Sequence, residues 1–486
     1  GALDGDAVVP QADWRCRGGA AGCSSRGGRQ ARGGDAPLGV DARDVDVTAG
    51  KLKAAIECRT VSHSNYSKFD FQEFIMFRDR LREMFPLVHQ KLELEIVNEY
   101  SLLYKWKGAD ENLAPGLFMA HIDVVPIEEG TEDDWKHPPF SGISAEGYVW
   151  GRGAMDIKVQ IITLLESCEK LLEDGFCPLR TIYFAFGHDE ETDGSNGAKK
   201  IVEKFEAEGV SFEFVIDEGG CVNKGIFASV DKPMAFIGVA EKGYLNIRVD
   251  IKGTGGHAST PPRNSSLGLA AKAICRLEKN KMKLRMTDPT AQMIKALGRH
   301  MGFASRLIIG NLWLFKRLFI KIFTSSGTTG EALLRTTIAP TMAHGSMEPN
   351  VLPQISSFTV NCRILQGETY KDVIRHIEKA CRGMDFQINV LRHEEPSKAS
   401  PRDSWFFQKA AGAVIGLYGD VAVIPYLMVA GTDSIKYQGL CDNILRFSPY
   451  LINMDDIKRI HGTDERISLK NIERSVAYYI ALFREL

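Results

Sequence analysis

Acids and a histidine placed just after apolar runs are the feature that most limits what this chain can be. Met119-Ala120-His121-Ile122-Asp123-Val124-Val125-Pro126 and Gly187-His188-Asp189-Glu190-Glu191 each follow a run that reads as a buried strand. Trp150-Gly151-Arg152-Gly153-Ala154-Met155-Asp156 lies between them, and Phe212 to Ile216 is a third run, ending at Asp217-Glu218-Gly219-Gly220. Helical apolar spacing fills the intervals at Gln160 to Leu172 and Ala198 to Glu208. Strand, helix, strand, helix, strand with polar residues at the C-terminal strand ends describes an α/β fold. Its central sheet is mostly parallel and binds ligand along one edge.

A chain of 486 residues is too long for one core. Residues 1–48 are Gly/Arg-rich, with almost no apolar residues from Arg15 to Gly34, so they read as a disordered tail. Residues 49–241 carry the first part of the α/β pattern. From 242 to 395 the pattern turns antiparallel, with strands at Tyr244 to Lys252, Ile355 to Ile364 and Phe386 to Arg392 and helices at Ser266 to Glu278 and Thr369 to Arg382. That order predicts an inserted α+β, ferredoxin-like domain, and residues 396–486 resume the first domain. A net charge of −2 argues against nucleic acid as a partner. No run of eighteen uncharged apolar residues exists to span a membrane. The compartment stays open: secreted or vacuolar/lysosomal if a signal is missing, otherwise cytoplasmic. Residues 308–323, IIGNLWLFKRLFIKIF, are apolar with three basic residues. They read first as a helix packed within the inserted domain, and second as a channel for an acyl chain or a weak membrane or lipid contact.

Each candidate site residue also has a plainer reading. His121 and Asp123, two apart at a strand end, point the same way. They read as a metal ligand with the carboxylate that holds its other ring nitrogen, or as a surface His beside a turn Asp. Asp156 suits the bridging of two metals, although an isolated Asp before a helix is more often an N-cap. Glu190-Glu191 is either a charged loop or a pair in which one acid binds metal and the other moves a proton. Asp217 is a further candidate ligand, with Glu218 beside it as the residue it could be confused with. His461 can add a second nitrogen ligand. His257, in Gly255-Gly256-His257-Ala258-Ser259, and Arg363 lie in the inserted domain, where they read as substrate contacts or, for Arg363, an edge-strand salt bridge.

In their order, HIDVVP, GRGAMDIK, HDEE, IDEGG, GGHAS, NVLP, VNCRI, AGTDS and HGTDER resemble the two-zinc metallopeptidase family M20, which holds aminoacylase-1, acetylornithine deacetylase and carboxypeptidase S. WKHPPF at 135–140, Arg335-Thr336-Thr337 and Arg459-Ile460-His461-Gly462-Thr463 look most like the branch of carboxypeptidase S and N-fatty-acyl-amino acid synthase/hydrolase. The resemblance implies two Zn2+ per subunit bridged by Asp156, one completed by His121 and Asp217, the other by Glu191 and His461. It implies Glu190 as general base, Asp123 as the group orienting His121, and His257 reaching the site of the other subunit of a homodimer. Asn350, Arg363, Gly431 and Thr432 would hold the substrate. Ile157 stands where Asp or Met is usual, and Asp464 where Asn is common; neither removes a ligand. The implied activity is hydrolysis of amide bonds in N-acyl amino acids or at peptide C-termini, with a small-molecule substrate. Dipeptides, small polar N-acyl amino acids, and a metal-free binding or regulatory role are the rival expectations.

Overall fold

The computed structural model describes residues 42–225, 230, 232–325 and 327–486. The expected tail therefore lies mostly outside the described residues. Its last part does not: helix α1 (Ala42–Glu57) begins inside the segment assigned to the tail, with Thr48 and Ala49 buried. In chain order there follow strands β1 (Glu93–Val97), β2 (Ser101–Trp106) and β3 (Gly116–His121), helix α2 (Lys158–Glu173), strand β4 (Ile182–Gly187), helix α3 (Ala198–Glu208), and strands β5 (Phe214–Asp217) and β6 (Met234–Glu241). The inserted segment contributes β7 (Gly243–Lys252), helices α4 (Ser266–Lys279), α5 (Asp288–Gly298), α6 (Phe303–Gly310) and α7 (Leu312–Ser325), then β8 (Thr337–His344), β9 (Ile355–Ile364), α8 (Tyr370–Ala380) and β10 (Phe386–Glu394). Helix α9 (Trp405–Tyr418), strands β11 (Ala422–Met428) and β12 (Ile444–Arg446), and helix α10 (Leu469–Phe483) close the chain.

The central sheet runs β1-β2-β4-β3-β5-β12-β6, with β11 also on β6. Pairs β3–β4, β3–β5, β5–β12 and β6–β11 are parallel. Every residue of β3 is buried, as a strand covered on both faces must be. Phe118 and Ala120 face α1, α2, α9 and α10, while Leu117 and Met119 face α3. Parallel register sets His121 opposite Gly187, and Phe118 opposite Ile216. The chain segments leaving β3, β4 and β5 therefore emerge together at one edge.

The insertion has a four-stranded antiparallel sheet, β8-β9-β7-β10, whose core is closed by α4 and α8. Lys242 alone separates β6 from β7. The return crossing packs against it: a Cβ on Gly243 would fall 2.6 Å from the Glu394 carbonyl oxygen. Ser397 ties the crossings together, its N donating to the Glu241 carbonyl at 3.1 Å and its Oγ accepting from Glu241 N at 2.8 Å.

Residues 308–323 depart from the first expectation in two ways. They form parts of two helices, α6 and α7, broken at Asn311. Their anchors Ile309 and Phe319 pack with α5 against Phe236, Ile424 and Leu427 of β6 and β11, so they cover the catalytic sheet rather than the inserted one. Among the described residues no helix is long and apolar enough to cross a membrane.

Phe118 is 1% exposed and meets the Phe214 and Phe483 rings at 5.7 and 5.0 Å. Phe118→Ala should cost about 3–5 kcal/mol, read as a lower urea midpoint at unchanged slope. A loss below about 1 kcal/mol would mean that the layer collapses around the gap.

Candidate active site

Asp156 sits between the two histidines. Its Oδ1 lies 3.2 Å from His121 Nε2 and its Oδ2 3.0 Å from His461 Nε2. Glu218 Oε1 approaches His121 Nε2 at 3.2 Å, and Glu191 Oε2 approaches His461 Nε2 at 3.1 Å. Two groups of possible metal ligands result, His121–Asp156–Glu218 and Asp156–Glu191–His461, sharing the aspartate. The N-cap reading of Asp156 fails: the cap of α2 is Ile157, and no side chain hydrogen-bonds there.

The backbone that places Asp156 needs its glycines. Gly151 and Gly153 have φ of +148° and +83°, and a Cβ on Gly153 would fall 2.7 Å from Val124 Cγ1. Glu465, fully buried, accepts from Met155 N at 2.8 Å and Asp156 N at 3.0 Å and pairs with Arg152 Nη1 at 2.6 Å. Arg152 Nη2 also donates to the His461 carbonyl at 3.2 Å, so one buried ion pair holds both the bridging acid and the distant histidine loop. His461 itself has φ of +59°, a left-handed conformation rare outside glycine.

One expectation changes. Asp217 accepts from Ser434 N at 3.0 Å and from Glu218 N at 2.9 Å and belongs to neither candidate ligand group, whereas Glu218 does. Asp217 is the last residue of β5 and its carboxylate is taken up by backbone N–H groups, while Glu218 lies one residue past the strand end, within reach of His121. Asp123 has a second role besides its contact with His121. His121 Nδ1 lies 2.9 Å from the Asp123 backbone carbonyl and 3.5 Å from its carboxylate. The carboxylate also accepts from Glu190 N and Glu191 N, both at 3.1 Å, and so sets the turn that carries the glutamate pair.

The donor chemistry fits divalent metal. Burial and the Asp156 charge push the Glu191 and Glu218 carboxyls up to about 7. Burial of Asp156 is outweighed by its hydrogen bonds to His121 and His461, which hold its carboxyl low. Hydrogen bonds from His461 to Asp156 and Glu191 push that imidazole up to about 10. Acids this close need positive charge between them, and Glu191 Oε1 is buried with no hydrogen-bond partner. Two imidazoles with three carboxylates suit zinc and its first-row neighbours.

Glu190 lines the cleft but is outside both ligand groups. Burial, reinforced by Asp433 and Glu218 against His121, pushes its carboxyl well above the usual range. The cleft, about 520 Å³, is lined by these acids and also by Lys242, Arg363, Arg392 and Lys436. Arg392 donates to the Thr192 carbonyl and to Glu394, both at 2.9 Å, and Lys436 pairs with Asp433 at 2.9 Å. Lys242 Nζ donates to the Ala332 and Arg335 carbonyls at 3.0 and 2.8 Å; burial, with Arg363 adding to it, lowers its pKa to about 7. Arg363 lies on the Tyr244 ring, 4.8 Å from its centroid, beside Gly431. Thr432 N donates to Glu241 Oε2 at 2.9 Å, and Glu241 pairs with Arg446 at 3.1 Å with both fully buried. Lys242, Arg392 and Glu218 carried no role in the motif reading.

His257 and Asn350 do not line this cleft. They lie together at another part of the insertion. There Gly256–His257 pairs with Val351–Leu352, Ala258 N donates to the Asn350 carbonyl at 2.9 Å, and His257 is exposed with Nδ1 2.8 Å from Ser259 Oγ. Asp464, at the second sequence departure, accepts from Lys136 N at 2.7 Å.

The family model described as peptidase family M20/M25/M40 matches residues 117–485. A probable carboxypeptidase S-like 2 of Dictyostelium discoideum is 38% identical, over 91% of this chain and 85% of its own. N-fatty-acyl-amino acid synthase/hydrolase PM20D1 of Xenopus tropicalis is 36% identical, over 89% of this chain and 84% of its own. Among solved structures, the M20 family metallo-carboxypeptidase Sso-CP2 from Sulfolobus solfataricus superposes with a TM-score of 0.66 at 17% identity, over 92% of this chain and all of its own.

Glu218→Ala should lower the divalent metal retained after loading and dialysis by about half, while Asp217→Asn keeps it. Elemental analysis distinguishes them, and the opposite pattern would return the ligand role to Asp217.

Proposed function

The chain belongs to the peptidase family M20/M25/M40, and we propose that it hydrolyses N-acyl amino acids, releasing the free amino acid, with two zinc ions per subunit. Amide hydrolysis is the chemistry of the family and of its named relatives. The observation that carries the assignment to this site is Asp156 between His121 and His461, with Glu190 beside the two ligand groups and inside the cleft.

His121, Asp156 and Glu218 would hold one ion, and Asp156, Glu191 and His461 the other. Bound there, the pair supplies the Lewis acidity that makes water a nucleophile at neutral pH and polarises the scissile carbonyl. Glu190 takes the proton from the attacking water and gives it to the departing amine nitrogen. Asp123 holds the Glu190 and Glu191 backbone in place for that transfer. Arg363, which lines the same cleft as the acids, takes the substrate carboxylate. The Gly431–Thr432 loop, pinned through Glu241, lies next to that carboxylate. In the reverse direction the same groups condense an acid with an amine, since concentrations set the position of the equilibrium.

A homodimer completes the site in this reading. His257 and Asn350 stand away from the cleft of their own chain, and β8 is an edge strand with Met342 and His344 exposed. Both observations fit a partner subunit receiving His257 at its oxyanion position.

Arg363→Met should raise KM for N-acyl amino acids by about 10–100-fold, the worth of a charged hydrogen bond. It should leave the corresponding N-acyl amino amides, which lack the carboxylate, unaffected; equal losses on both would remove Arg363 from carboxylate binding. Glu190→Gln and His257→Ala should each abolish turnover, the first with its zinc retained. Co-expressed, they should recover about a quarter of wild-type activity, because half of the dimers then contain one intact composite site. No recovery from isolated mixed dimers would place His257 in its own subunit's chemistry or outside it.

A further inference from the structure

Helices α6 and α7 present an apolar face on which, among the described residues, nothing is packed. Phe303 and Trp313 are each 82% exposed, and Leu307, Leu314, Leu318 and Ile322 between 46% and 60%. Leu314, Leu318 and Ile322 recur every four residues, forming one stripe along α7. The helices are held from beneath by Ile309 and Phe319 in the core shared with β6 and β11. The exposed face is therefore carried on a packed base.

The segment of chain that carries this face has charge of one sign. Between Asp288 and Glu331 the chain has no acidic residue, where its average would place about five, and it has six Lys or Arg. All six, Lys295, Arg299, Arg306, Lys316, Arg317 and Lys321, are exposed. Aromatic and aliphatic side chains to enter acyl chains, with long cations around them to reach phosphate, are the complement of an anionic bilayer surface. A second copy of the chain is the poorer occupant. A two-fold contact through this face would oppose six cations with six more and offer no acids.

We propose that α6 and α7 dock the protein on anionic phospholipid membrane. Docking sets the catalytic cleft beside the bilayer. The helices share their core with Tyr426 and Val429, which line the cleft, and Lys242 of the cleft bonds the carbonyls of Ala332 and Arg335 where the helical segment ends. Amphiphilic amides that partition into membrane then reach the cleft without crossing bulk water. That consequence rests on the N-acyl amino acid reading, whereas docking itself does not.

The test is sedimentation of the full chain with vesicles of phosphatidylcholine alone or with 30% phosphatidylserine. The expected result is association with the phosphatidylserine vesicles, lowered roughly tenfold or more in 0.5 M salt or without phosphatidylserine. Phe303→Ser/Trp313→Ser and, separately, Lys316→Glu/Lys321→Glu should each lose association by a similar factor. Both should keep the wild-type thermal midpoint and turnover of a short, soluble substrate, since these side chains are at the surface. Glu190→Gln should sediment as wild type, so a failed hydrolase assignment leaves this result intact. Three outcomes would overturn the proposal: no association with anionic vesicles, association unchanged in both double variants, or a vesicle-free chain whose dimer dissociates on Phe303→Ser/Trp313→Ser.

Discussion

Repulsion between like charges governs this structure. Asp156, Glu191 and Glu218 crowd within hydrogen-bonding distance of two imidazoles, and their half-burial limits the water that would screen them. Such a group is stable only with added positive charge, from protons or from metal. The sheet brings the acids together because parallel register delivers three strand ends to one edge, and the turns beyond those ends have no alternative destination. Fold and metal affinity are in this sense one property.

Around that centre, buried ion pairs do the fixing. Arg152–Glu465 ties the bridging acid to the His461 loop, and Glu241–Arg446 ties the Thr432 loop to β12. A buried pair contributes little to stability over an apolar replacement, but removing one member leaves an uncompensated charge and is costly. Both pairs also use their carboxylates to satisfy backbone N–H groups at the site. Their role is thus geometric, and the stability of the domain rests on the aromatic and aliphatic layers on the two sheet faces.

Strands β3, β4 and β5 and both histidines of the metal groups were legible from sequence because local periodicity and motif order mark them. The same local signal could not separate Asp217 from Glu218, since they are adjacent acids at one strand end and only the folded chain shows which of them reaches His121. Arg446 and Glu241 are 205 residues apart and Glu465 and Arg152 are 313 apart, so neither pair leaves a local trace. The packing of α6 and α7 was misplaced for a related reason. Their apolar spacing announces a buried side but not which sheet buries it. It also hid the fact that much of their apolar surface is left uncovered. The position of His257 can be described here, and its distance from the cleft of its own chain is what gives the two-fold reading its weight.

The paired crossings at Lys242 and Glu394–Pro396 give the inserted domain a particular mechanics. One residue of slack on the outward strand, stapled to the return strand by Ser397, makes a narrow double hinge and leaves no room for sliding. Such a joint transmits torque but not translation. Any rotation of the insertion about this joint would move Arg363, opposite Tyr244 at the near end of β7, less than His257, which lies beyond the far end of that strand. The two residues proposed to contact substrate thus stand at very different radii from one joint.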